Sequence, residues 1–165
     1  MSTSTFSVSY AHTVNYVTTK MMLILMEIIR EIGLDPSNFV NSWESHDEAL
    51  RTWLASRHLR GVKLEIYDPR TNALVTRWDI DVLYDTIGDG ELWVDTAAVR
   101  YAIKKAGLVP SSCRYKIVLS HAPNPVPVRG WEPCQLRSTV GFRRYAVGAT
   151  IGGQGLAAQT AYWSR

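Results

Sequence analysis

The chain has 165 residues, 46% of them apolar and 20% charged; this excludes a disordered, collagen-like or low-complexity polymer and predicts one domain around one core. The net charge of +3 is uneven. Residues 1–121 carry 13 Lys/Arg against 14 Asp/Glu, whereas residues 122–165 carry Arg129, Arg137, Arg143, Arg144 and Arg165 against Glu132 alone.

Residues 1–8 (MSTSTFSV) read as a flexible arm. The first 20 residues hold no apolar block, and the most apolar run, 21–26 then 28–29, is interrupted by Glu27 and too short to span a bilayer. These features predict a cytoplasmic protein with no membrane contact. Cys113 and Cys134 form no CxxC, so neither a zinc knuckle nor a redox motif is indicated and the thiols are expected to be reduced.

From Ser9, apolar residues recur at three and four (Val14, Val17, Met21, Leu25, Ile28, Ile32), the period of a helix ending at Gly33. Its segment MMLILMEII is apolar nearly all round, which predicts burial on most faces. Asp35-Pro36 opens a second helix carrying Phe39, Val40, Trp43, Leu50, Trp53 and Leu54, with a break near Ser45 and a stop at Gly61. The period then falls to two. Val62, Leu64 and Ile66, the turn DPRTN, then Trp78, Ile80, Val82 and Tyr84 predict a hairpin with one solvated face. Asp95-Thr96 starts a third helix that stops at Gly107, and CRYKIVLS (113–120) is a third strand. The helical crossover places that strand antiparallel beside the first, in sheet order two-one-three, with three helices on one face. Strands 74–84 and 113–120 are both left as edges.

Residues 121–165 have no clear period, and HAPNPVPVRGWEP holds four prolines. Yet Trp131, Leu136, Phe142, Tyr145, Val147, Ile151, Leu156, Tyr162 and Trp163 forbid a disordered reading. Such a long segment is expected to be functional, to supply at least one strand to an edge and to wrap the body.

No motif for chemistry emerges. GATIGGQGLAAQT lacks the lysine of a phosphate loop, since Gln154 stands in its place, and is expected to turn sharply or to refold. Asp85, Asp89, Glu91 and Asp95 miss the spacing of a calcium loop and read as a solvated loop with a helix cap. His12, His46, His58 and His121 lack partners at ligand spacing, so no metal or cofactor is expected. Asp79 and Asp81, flanked by Arg77, read as a salt-bridge ladder. Trp131 is expected to pin the proline-rich segment to the core. The basic tail leaves a nucleic-acid-binding accessory protein as an alternative.

The stretches YAHTVNYVTTKM, IIREIGLDP, LEIYDP, RWDID, WVDT, YAIKKAGL, RGW, LRST, GATIGG and the final YW together resemble bacterial HORMA-domain proteins encoded beside cyclic-oligonucleotide synthases (CD-NTases) in anti-phage operons. The resemblance implies an α+β HORMA fold, with three helices on an antiparallel sheet and a C-terminal safety belt, organised as arm 1–8, core 9–120 and belt 121–165. It implies a non-enzymatic switch that closes on a closure-motif peptide. In its closed form such a switch binds and activates a CD-NTase, and an AAA+ ATPase remodeller reopens it. DNA is expected only within a larger complex. The expected peptide edge is Arg114, Tyr115, Lys116, Ile117, Val118, Leu119 and Ser120, clamped by Val128, Trp131, Leu136, Thr139, Phe142 and Tyr145. Gly148, Gly152, Gly153 and Gly155 are the expected hinge. Deleting the chain from Pro123 onward is expected to abolish peptide binding and spare the helical core.

Overall fold

A computed structural model describes residues 3–5, 8–88 and 90–165. Four residues of the expected arm (Met1, Ser2, Phe6 and Ser7) lie outside the described residues, as does Asp89 of the acidic loop.

Helix α1 (Tyr10–Glu31) is the central helix. The Ser9 side chain caps it by accepting from the His12 N–H at 3.1 Å. Val14, Val17, Met21, Met22, Ile24, Leu25, Ile28 and Ile29 are all buried along it, so the run without a polar stripe is enclosed as expected. Where one broken second helix was expected, there are two: α2 (Ser37–Asn41) and α3 (Trp43–Ala55), meeting at Ser42. The break falls earlier than expected, and Gly61 does not end a helix. Gly61 lies inside β1 (Leu59–Tyr67), opposite Asp81, where a Cβ would stand 3.1 Å from the Ile80 carbonyl oxygen. Its role is to admit a close neighbouring strand.

Strand β1 pairs with β2 (Leu74–Tyr84) as the expected hairpin. A short β3 (Trp93–Val94), absent from the sequence reading, precedes α4 (Thr96–Ala106), which Asp95 caps through the Ala98 N–H. Strand β4 (Arg114–His121) returns antiparallel to β1. The tail then supplies two strands, β5 (Arg143–Gly153) and β6 (Leu156–Ser164). The sheet runs β3-β5-β6-β2-β1-β4, so the expected order two-one-three survives within it as β2-β1-β4. The four helices pack on this six-stranded antiparallel sheet.

Tail residues belong to the core. Ile151, Leu156, Ala158 and Tyr162 are buried with it. Trp78, Tyr162 and Tyr145 stack in file across β2, β6 and β5, with centroids 4.7 and 5.0 Å apart. Removing everything after Pro123 would therefore open the core as well as the belt, contrary to the expectation of a spared body.

The expected solvated face is also covered. Glu65, Asp79 and Arg77 are 0%, 2% and 7% exposed. The ladder itself is present: Arg77 meets Asp79 at 2.8 Å, and Lys63 reaches Asp79 at 3.3 Å and Asp81 at 3.1 Å. Trp163 lies against it and donates its indole N–H to Asp79 at 3.0 Å. Alternation shows which side of a strand is polar. Whether water or another segment covers that side depends on distant parts of the chain.

Candidate functional site

Strand β4 forms one outer margin of the sheet, and β1 is its only strand neighbour among the described residues. Its backbone thus has one side free of ladder pairing. Tyr115, Ile117 and Leu119 stand opposite Ile66, Leu64 and Val62, on the face that carries the helices. The Tyr115 hydroxyl donates to the Asp35 carbonyl at 2.9 Å and accepts from the Phe39 N–H at 3.2 Å, tying β4 to the start of α2. Burial pushes this phenol's pKa above its ordinary value, so it stays a neutral donor. Arg114, Lys116, Val118 and Ser120 occupy the other face. Arg114 and Lys116 are exposed, and Val118 is buried.

After His121 the chain folds back, the Ala122 N–H donating to the His58 carbonyl at 2.7 Å. Residues 122–142 contain neither helix nor strand. The first half of this strap lies on α3. Trp53 donates its indole N–H to the Val126 carbonyl at 2.6 Å, and Trp131 donates to the Ser45 carbonyl at 3.3 Å. The Trp131 ring meets His46 and Trp53 at 5.4 and 6.5 Å, and Val128 is buried beside them. Trp131 thus pins the strap, as expected. Burial holds the His46 pKa below its usual value, while its ring nitrogen bonds the Ser42 carbonyl at 2.7 Å.

The second half is fastened on the opposite face of the sheet. Arg137 gives its backbone N–H to one carboxylate oxygen of Glu65 at 2.6 Å and its guanidinium to the other at 2.7 Å. The same guanidinium stacks 3.7 Å above the Tyr67 ring and donates to the Asn72 side chain at 2.7 Å. The two anchors mark opposite ends of β4. Trp53 touches His121 at its end, with ring centroids 5.2 Å apart, while Tyr67 pairs with Arg114 at its start. The strap therefore reaches from the end of β4 to its start and passes from the helix-bearing face of the sheet to the opposite one.

Val128 is buried and Trp131 packs on α3, while Leu136 is 40% exposed next in sequence to the Arg137 anchor. Thr139 accepts the Phe142 N–H at 2.9 Å in a turn, and Arg165 covers the Phe142 ring at 4.7 Å. Tyr145 belongs to β5, which β6, β2 and β1 separate from β4. The structure thus gathers the first part of the expected clamp and leaves Phe142 and Tyr145 apart from it. All four expected hinge glycines belong to the β5–β6 hairpin. Gly155 takes φ +79° in its tight turn, and Gly148 takes φ +109° at a register shift. Side chains at Gly152 and Gly153 would run into Trp93 and into Thr13 and Leu92 respectively. The glycine run is a sharp turn with close packing on both sides.

Sequence reasoning missed Glu65, Arg137, Tyr67 and Trp53. Glu65 and Arg137 are 72 positions apart, and no local pattern links them. The one available signal was a tail rich in arginine beside a hairpin face rich in acids.

The comparisons with known proteins fit this arrangement. Over residues 1–165 the sequence matches the family described as Bacterial HORMA domain 2. The chain belongs to that family. Among solved structures, this HORMA domain is similar to a chain of the mitotic checkpoint complex, with TM-score 0.73 and 10% identity over 90% of this chain and 98% of that one. It is also similar to Caenorhabditis elegans HTP-2 bound to the HIM-3 closure motif, with TM-score 0.70 and 11% identity over 96% and 92%. A chain of the Escherichia coli MS115-1 CdnC:HORMA-deltaN complex matches with TM-score 0.62 and 13% identity over 100% and 93%. At these identities the likeness is one of fold. No curated protein sequence matches the chain.

Proposed function

We propose that this HORMA domain is a switching adaptor that captures an extended closure-motif peptide along β4 and holds it under the strap, which acts as a safety belt. The observation that carries this reading is an unpaired strand margin spanned by a segment anchored at both ends of that strand. A peptide laid there gains main-chain hydrogen bonds from β4, and its side chains meet pockets of alternating character. Because the belt must loosen before the guest leaves, dissociation is slow.

In the closed state the domain binds a CD-NTase and turns on second-messenger synthesis, and an AAA+ remodeller returns it to the open state. A HORMA chain seen with CdnC in the Escherichia coli complex and a closure motif bound to HTP-2 support this reading. The domain itself performs no catalysis. Arg137, Arg144 and Arg165 are engaged within the molecule, which favours peptide over DNA as the direct ligand.

The test is to measure oligonucleotide synthesis by a CD-NTase of this type with the domain alone, with a selected peptide alone and with both. Stimulation only by the pair is expected. Equal synthesis in all mixtures, or binding of duplex DNA with a steep salt dependence and of no peptide, overturns the reading.

A further inference from the structure

The side chains of β4 constrain what its guest carries, given the reading of that margin as a peptide dock. Arg114 and Lys116 point to the same face of the strand, about 6.8 Å apart along it, and both are exposed. Neither takes part in an ion pair among the described residues. The cross-strand neighbour of Lys116 is Glu65, the natural partner for a lysine. Both Glu65 carboxylate oxygens, however, are held by Arg137 of the belt at 2.6 and 2.7 Å. Closing the belt thus consumes the carboxylate directly across the ladder from Lys116 and leaves two cations along the guest's track. The belt does little to answer them, since Glu132 is the one acid between residues 122 and 142.

On the helix-bearing face the track is apolar. Ile117 and Leu119 are half-buried against the core, and Val126 of the strap, whose carbonyl accepts from Trp53 of α3, is 48% exposed. A strand paired with β4 sets its side chains about 5 Å from those directly opposite. We infer that the margin selects an extended segment with Asp or Glu at two positions spaced by two, opposite Arg114 and Lys116, and apolar residues at the helix-facing positions opposite Ile117 and Leu119. The charges also set the register. A slip by one residue toward the end of β4 would set the acids against Tyr115 and Ile117 and the apolar residues against Val118 and Ser120. The backbone supplies most of the affinity, and the two ion pairs supply discrimination and a faster encounter.

The test is selection of a random nine-residue phage-displayed library on the immobilised full-length domain, in parallel with the Arg114→Glu/Lys116→Glu variant. Both substitutions are at exposed positions, and equal melting temperatures would confirm that the variant is folded. For the unaltered domain, acids at two positions spaced by two should be enriched about fivefold over the library, and a selected peptide with both acids changed to Gln should bind about fivefold to tenfold more weakly at low salt. The variant should enrich Lys or Arg at those positions. Enriched peptides without an acidic pair, or an acidic pair retained by the variant, overturn this inference while leaving the peptide dock intact. A library that enriches nothing overturns the dock and this inference together.

Discussion

At one margin of the β1–β2 hairpin the chain supplies its own neighbour. Strand β6 lies along β2 from Arg77 with Trp163 to Tyr84 with Leu156. At the other margin, β4 is accompanied by a segment that passes along its length and forms no ladder with it. Composition explains the difference. Strand β6 is rich in small and aromatic residues and carries no proline, so every residue can donate to a ladder. The strap places Pro123, Pro125 and Pro127 at alternate positions. In an extended chain, successive N–H groups point to opposite sides, so three prolines at this spacing strip the donors from one side. One part of the tail is built to fill an edge, and the other is built to lie beside an edge and leave it vacant.

The comparison can be broken most severely by removing the filled side. Deleting residues 143–165 bares the β2 margin and uncovers Trp78. A cooperative melt followed by circular dichroism should disappear, since the lost burial exceeds a typical margin of about 5–15 kcal/mol. Next comes the vacant side's fastening. Arg137→Ala strips the guanidinium from buried Glu65, leaving it the backbone N–H of residue 137 and the neighbouring Lys116, at a cost of about 1.5–3 kcal/mol in chemical denaturation. Glu65→Gln in the same chain should recover part of that loss, which a double-mutant cycle would measure.

Restoring donors to the strap tests why the edge is vacant. Replacing Pro123, Pro125 and Pro127 together by Ala should let the strap compete for β4 and weaken a selected peptide about tenfold, with the melting temperature unchanged or raised. If peptide affinity is unchanged, the prolines do not keep this margin open. A smaller effect is expected at the hairpin tip. Gly155→Ala forces a side chain into φ +79° and should cost about 1 kcal/mol, with no change in peptide dissociation.

The smallest effect is a pH dependence at the belt's contact with α3. The folded-state pKa of His46 lies below its usual value because burial among Phe39 and Trp131 disfavours the charged ring. The unfolded chain therefore binds the proton more readily. The neutral ring carries no penalty above about pH 6.5, and stability falls as pH drops below that value. A shallow loss of melting temperature between neutral and mildly acidic pH, absent in His46→Gln, is the expected result.

Much of the fold was legible in local pattern. The spacing of Val14, Val17, Met21 and Leu25 specified α1, and the alternation through Val62–Leu64–Ile66 and Trp78–Ile80–Val82 specified the hairpin. The crossover through α4 then required β4 beside β1. Ser42 as the break between α2 and α3, and Gly61 as a strand residue, escaped because neighbours decide them: the space at Gly61 is set by Asp81 and the Ile80 carbonyl across the sheet. The tail was read as one wrapping unit because its two halves share a lack of periodicity. Strand β5 bends through two register shifts, which blurs the alternation that would have revealed it.

The sequence by itself determined the helices, the central hairpin, the returning edge strand and a segment too proline-rich to join a ladder, because each rests on residues within a few positions of one another. Only the tertiary structure decided which margin was filled, where the strap crossed the sheet and which charges were spent. Those outcomes turn on Glu65 with Arg137 and on Asp79 with Trp163. These partners lie far apart along the chain, and their attraction has effect only once folding has brought them together and excluded water.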